Sequence, residues 1–251
     1  MEENTSLNEY TVAITGEGPT DFGQKPYGES GWNWGPVKML IDKCADKMGV
    51  HVILIPIERQ EVERFRLQRS QKRVLKGKSI ASMRFAVYAR DRKECNLGIY
   101  YCDADKEAGS SNSDAQVCEK HFQELYNEVE AGMDLNDKKD FKGIPMIAVK
   151  MIESWMLADE NAYVKAFGKI PSYHLPGKPE LIWGDKRDPD SNYPKCYLKR
   201  VIYSLGGRFS EETLHTALYN EIAENIDIDV LINRCPIGFG KFCEDMELLC
   251  S

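Results

Sequence analysis

Thr11-Val12-Ala13-Ile14-Thr15-Gly16-Glu17-Gly18-Pro19-Thr20-Asp21 runs an apolar segment straight into an acidic, glycine-rich turn. Leu97-Gly98-Ile99-Tyr100-Tyr101-Cys102-Asp103-Ala104-Asp105 repeats that arrangement later in the chain. A short, continuous apolar run bounded by turn residues is the pattern of a strand buried on both faces. In an open parallel sheet, ligands bind beyond the carboxyl ends of the strands, so two acidic motifs far apart in sequence can converge there. Converging carboxylates repel one another unless a cation lies between them. Hard oxygen donors suit Mg²⁺ or Mn²⁺, and the leading expectation is a metal-dependent phosphoryl-transfer site.

Working outward, His51-Val52-Ile53-Leu54-Ile55, closed by Pro56, and residues 144–149 are two further apolar runs of the same kind. Helical patterns lie between the strands: residues 37–48 behind Pro36 and ahead of Gly49, residues 79–93, and residues 115–130. This alternation predicts an α/β fold, with a mostly parallel sheet of four strands or slightly more flanked by helices. Residues 22–35 form a glycine-rich loop whose Trp32 and Trp34 are expected to pack rather than to stack on bases. Residues 106–114, polar and rich in Ser and Gly, are expected to form a loop. Past Gly168, five prolines between Pro171 and Pro194 indicate an irregular excursion, followed by a helical tail broken at Gly206-Gly207 and Pro236. The expected division is an α/β metal-binding domain over residues 1–168 and an irregular, helical extension over residues 169–251, packed on the same core.

Composition narrows the function classes. No apolar run approaches the roughly 20 residues that span a bilayer. The start, Met1-Glu2-Glu3-Asn4-Thr5-Ser6, lacks the basic-then-apolar order of a signal peptide, so a cytoplasmic protein is expected. Eight cysteines are scattered without a Cys-x-x-Cys pair and only 4 histidines accompany them, which excludes zinc-type spacing and favours reduced, buried thiols. Net charge is −7, yet residues 59–93 carry 12 Lys/Arg against 3 acidic residues. The positive charge is therefore concentrated, and a local field of that kind attracts phosphates despite an acidic whole. Arg66, Arg69, Lys72 and Arg73, expected in an extended or irregular stretch with Arg64, are the candidate nucleic-acid contacts; the alternative is a solvated, salt-bridged face.

The candidate chemistry rests on few residues. Asp103 and Asp105 are two apart, so on a continued strand both point into one crevice and can share an ion. Glu17, flanked by glycines that would let a phosphate or metal approach the backbone, is a candidate ligand or general base, and Asp21 is placed to reach the same ion. Glu153 follows the fourth strand in Met151-Ile152-Glu153-Ser154-Trp155-Met156-Leu157-Ala158-Asp159. It faces the same crevice, although a carboxylate in the first turn of a helix is also expected on dipole grounds. Asp159, about 240° further round one helix, is structural.

These motifs resemble a Toprim domain, as found in topoisomerases, bacterial primases, small ribosomal-RNA maturases and the overcoming-lysogenization-defect nucleases. The chain is also similar to an uncharacterised bacterial Toprim-like family through residues 152–159, Lys178-Pro179-Glu180, Pro194-Lys195 and Cys235-Pro236-Ile237-Gly238-Phe239-Gly240-Lys241-Phe242. The resemblance implies Glu17 as acid/base or ligand, Asp103 and Asp105 as Mg²⁺ ligands, and Asp21 as an extra ligand of nuclease-type members. It implies a stand-alone nuclease, one half of an anti-phage defence system whose partner is a separate ATPase. A glycosyltransferase would use the Asp-x-Asp pair but leaves the Glu17 motif unexplained. Dehalogenase-type phosphatases need an Asp where Glu17 stands, and a P-loop needs glycine where Lys72 stands. The alternative of another class is a catalytically silent module that binds nucleic acid or a nucleotide as a sensor or partner subunit.

Overall fold

In this computed structural model, residues 8–28, 30–67, 77–104, 115–135, 141–206, 209 and 215–250 are described. The chain opens with β1 (Asn8–Thr15), a π-helical turn (Gly18–Phe22), the short strands β2 (Gly23–Gln24) and β3 (Asn33–Trp34), α1 (Pro36–Lys47) and β4 (Val50–Pro56). It continues through α2 (Arg59–Arg64), α3 (Lys78–Lys93), β5 (Leu97–Asp103), α4 (Ala115–Met133), β6 (Lys142–Ala148), α5 (Ile152–Met156) and α6 (Glu160–Phe167). A 3₁₀ turn (Pro179–Leu181) precedes α7 (Pro194–Ser204), α8 (Thr216–Asn225), α9 (Ile228–Arg234), a second π-helical turn (Pro236–Gly240) and α10 (Lys241–Cys250).

The four long strands form one parallel sheet in the order β4-β1-β5-β6. Strand order reverses at β1, whose neighbours β4 and β5 lie on opposite sides. The carboxyl ends of β1 and β5 therefore flank the point where chains leave the sheet in opposite directions, which is where an open α/β sheet offers a crevice. Both acidic motifs begin there.

Each strand alternates faces with a period of two. Val12, Ile14, Ile99, Tyr101, Ile144 and Met146 enter a core shared with α1 and the carboxyl-terminal helices, whereas Ala13, Tyr100, Cys102 and Ile147 enter a second core with α3 and α4. Helix α1 joins the first core through Val37, Leu40, Ile41, Cys44 and Ala45, an i, i+3, i+4 stripe introduced by Pro36. Leu198, Val201, Ile202, Leu218, Tyr219, Ile222, Phe239 and Phe242 belong to that same core, so the described residues after 168 contribute to the first layer.

Three local expectations are corrected. The 22–35 loop contains an antiparallel pair, Gly23 with Trp34 and Gln24 with Asn33. Arg64 ends a helix rather than lying in an extended or irregular stretch, because Glu61 accepts from the Glu58 backbone N–H (3.3 Å) at the start of α2. Asp159 and Glu153 do not share a helix: α5 stops at Met156, and Asp159 caps α6 by accepting from Asn161 N (2.9 Å) while also taking Asp227 N (3.0 Å). Its structural role stands, with a different cause. Among the described residues, no helix is long and apolar enough to cross a membrane.

Candidate active site

Strand β5 places Tyr101 and Asp103 on one face, and the fully buried Tyr101 donates its hydroxyl to Asp103 Oδ1 at 2.8 Å. The same hydroxyl lies 3.5 Å from Asp21 Oδ2, so one phenol brings carboxylates from both acidic motifs together. Asp21 reaches it because the chain after Glu17 winds into the π-helical turn. The flanking glycines serve that turn, and both also line a neighbouring cleft. A Cβ on Gly16 would lie 2.8 Å from the Phe22 ring, and Gly18 adopts a φ of +77°.

Glu153 joins them from the start of α5. It is 4% exposed and accepts from the Tyr219 hydroxyl at 3.1 Å. Burial, then the charge of Glu153, raises Asp21 from 3.8 to about 7, while Lys195 and the Tyr101 hydroxyl pull it down less strongly. Asp103 is pushed well above the carboxylate range by burial, then by Asp21 and Glu153, against the smaller opposing effect of Tyr101. The three acids thus form one electrostatically coupled cluster.

Glu17 lies apart from them. Its carboxylate is ion-paired to Lys78, the first residue of α3, with Arg59 Nη1 3.9 Å away. Arg59 is itself held by Glu63 through Nε at 2.7 Å. A cavity of about 170 Å³ opens here, lined by Glu17, Lys78, Arg59 and the Tyr100–Tyr101 edge of β5. The charge of Glu17 still contributes, last among the causes, to raising Asp103.

Asp105, Arg69, Lys72 and Arg73 lie outside the described residues, so the Asp103/Asp105 pair cannot be followed past Asp103. Arg66 is exposed just beyond α2. Among the described residues, no group of three or more His, Cys, Asp or Glu side chains closes around a point as a metal cage. Asp21, Asp103 and Glu153 offer only oxygen donors, the type a hard divalent cation takes.

Several residues at this edge escape the sequence reading. Tyr101 was legible in principle, two residues before Asp103 on the same face. Lys195 stands in the Pro194-Lys195 motif, but nothing local links it to Asp21. Lys150, 8% exposed after β6, places its ammonium 4.4 Å from the centre of the Trp183 ring. The Lys178-Pro179-Glu180 and 235–242 motifs have a structural meaning. Buried Glu180 accepts from Trp155 Nε1 (3.1 Å) and from the backbone N–H groups of Ile237 (2.9 Å), Gly238 (2.9 Å) and Phe239 (3.3 Å). Desolvation raises its pKa and those four donors oppose the rise.

The fold and this edge define an α/β protein with a carboxylate cluster at the reversal point of a parallel sheet. The family model described as "Domain of unknown function (DUF4276)" matches residues 37–247, and the chain belongs to that family. No curated protein and no solved structure matches the chain.

Proposed function

We propose that the protein is a Mg²⁺- or Mn²⁺-dependent nuclease that cleaves phosphodiester bonds. The observation that carries this reading is the meeting of Asp21 and Asp103 at one buried Tyr101 hydroxyl, 3.5 and 2.8 Å away, at the carboxyl edge of β1 and β5. A divalent ion bound there would polarise a phosphoryl oxygen and acidify a bound water. Asp21, Asp103 and Glu153 are the residues to hold it, with Asp105 as the further candidate from the sequence.

Each remaining residue has a task that its position supports. The Tyr101 hydroxyl orients the Asp103 carboxylate by donating to Oδ1. Tyr219 orients the Glu153 carboxylate by donating to Oε1. Glu17 Oε1 exchanges its partner Lys78 for the proton of the attacking water, and Lys78 Nζ with Arg59 then faces the phosphate oxygens. Arg66, with Arg69, Lys72 and Arg73, carries the polynucleotide toward the edge. The Toprim-like identity, a cytoplasmic location, a separate ATPase partner and a role as effector of an anti-phage system are further parts of this proposal, supported by the sequence resemblance.

One observation favours a second reading: Glu17 is already committed to Lys78, as in a binding module without turnover. Single-turnover cleavage of labelled DNA and RNA with Mg²⁺, Mn²⁺ or chelator separates the two. Glu17→Gln is expected to retain substrate binding and to lose cleavage by about 100-fold or more, the scale of a lost acid-base group. If the wild type binds but cuts neither polymer with either ion, the sensor reading replaces the nuclease.

A further inference from the structure

A second concavity adjoins the Glu17 cavity. A cleft of about 420 Å³, within the size range of small-ligand sites, shares Gly16, Arg59 and Glu63 with it and continues away from Lys78 toward the β2–β3 pair. Trp32 forms one wall. Its indole is fixed by donation from Nε1 to Phe22 O (3.3 Å) and by the Phe22 ring at 5.1 Å, so the aromatic face is held in place before any ligand arrives. Gln24 and Gln60, both exposed, line the same cleft with amides that donate and accept. Lys25 and Arg59 supply positive charge at the rim, but Glu58 and Glu63 also line the cleft, which disfavours a phosphate inside it. An uncharged planar group that bonds through its edge and stacks through its face meets all of these conditions; a phosphate meets only the rim.

We propose that this cleft receives one nucleobase of the polynucleotide, stacked on Trp32 and bonded at its edge by Gln24 and Gln60, while its phosphate stays at Arg59 and Lys78. The proposal rests on the phosphodiester-cleavage reading for its substrate class and deepens it, because the base held here belongs to the nucleotide beside the bond that is cut. The expected occupant is a base within a chain, not a free nucleotide.

The test is equilibrium binding in chelator, where no cleavage occurs, of a short labelled oligonucleotide, its abasic counterpart, and adenosine 5′-monophosphate as competitor. Wild type is expected to prefer the intact oligonucleotide, and Trp32→Ala to lower that affinity by about 5- to 100-fold while leaving abasic binding within about twofold. Trp32→Phe, which keeps an aromatic face against Phe22, is expected to retain most of the preference. Should Trp32→Ala fail to fold, Gln60→Ala on the exposed face of α2 decides, with an expected loss of about 2- to 10-fold for the intact oligonucleotide alone. Equal binding of intact and abasic oligonucleotides by the wild type, or a preference unchanged in Trp32→Ala and Gln60→Ala, overturns the proposal. So does competition by the mononucleotide as effective as that of the oligonucleotide. A base preference without cleavage in any divalent ion would sink the nuclease and keep the base site; cleavage without a base preference would do the reverse.

Discussion

The Tyr219 hydroxyl donates to Glu153 Oε1 at 3.1 Å, joining α8 of the carboxyl-terminal region to the start of α5 at the sheet edge. The tail therefore orients a carboxylate of the candidate site. Tyr219→Phe keeps the ring in the core and removes only this donor. A hydrogen bond to a charged group contributes about 1.5–3 kcal/mol, and the variant is expected to lose stability on that scale in urea unfolding. Its Mn²⁺ affinity should also fall, since Glu153 loses a bond that orients it. A stability change under about 0.5 kcal/mol, the scale of a neutral surface substitution, would mean the bond is dispensable.

The raised carboxyl groups give the metal-free protein an unusual pH response. Asp21 faces Glu153, Asp103, Lys195 and Tyr101, and its pKa moves from 3.8 to about 7 on folding. Because the folded value lies above the unfolded one, the native state holds an extra proton between the two. Stability is then fully present below about pH 4 and is lost as pH rises toward 7, at up to about 1.4 kcal/mol per pH unit per proton. Asp103, raised further, extends the loss to higher pH. In chelator, unfolding midpoints should therefore fall between about pH 5 and 7.5, and Asp21→Asn should remove part of that slope. A metal-free midpoint that stays level across this range would show that the two aspartates do not titrate above the ordinary carboxylate range.

Glu180 accepts four N–H groups inside the molecule. Glu180→Ala leaves the donors of Trp155, Ile237, Gly238 and Phe239 without their acceptor, at about 1–3 kcal/mol for each buried group. A loss of more than about 3 kcal/mol is expected by chemical denaturation, accompanied by loosening of residues 236–240 in hydrogen exchange. Glu180→Gln, which keeps an acceptor of the same shape, should recover a large part of it.

The sheet was legible because four apolar runs each end on a turn signal, and a parallel, doubly covered strand needs no more than that. Asp21 with Asp103 was legible for the same reason, as strand ends meet at the reversal point. Pairings that depend on the assembled fold left no local mark. Lys78 is 61 residues from Glu17, and Tyr219 is 66 from Glu153. Helix α2 was missed because charged residues dominate it and its capping carboxylate, Glu61, looks like any surface acid. Asp159 was read on one helix with Glu153 because nothing in Leu157-Ala158 announces a break; the cap it makes on α6 is a property of the folded chain. The glycines around Glu17 suggest access to the backbone; packing against Phe22 and a left-handed φ are further reasons for them that the sequence does not show.

Calorimetric titration of Mn²⁺ into the wild type and Asp103→Ala tests the metal site most directly. The wild type should bind saturably, with affinity falling as pH drops below about 7 because protons compete for Asp21. Asp103→Ala should show no saturable heat; because it also removes the acceptor of the buried Tyr101 hydroxyl, a cost of about 1–3 kcal/mol in urea unfolding opposes any relief of repulsion among the carboxylates. Coinciding isotherms for the two proteins, or no saturable Mn²⁺ binding by the wild type, would contradict a metal centre at Asp21, Asp103 and Glu153.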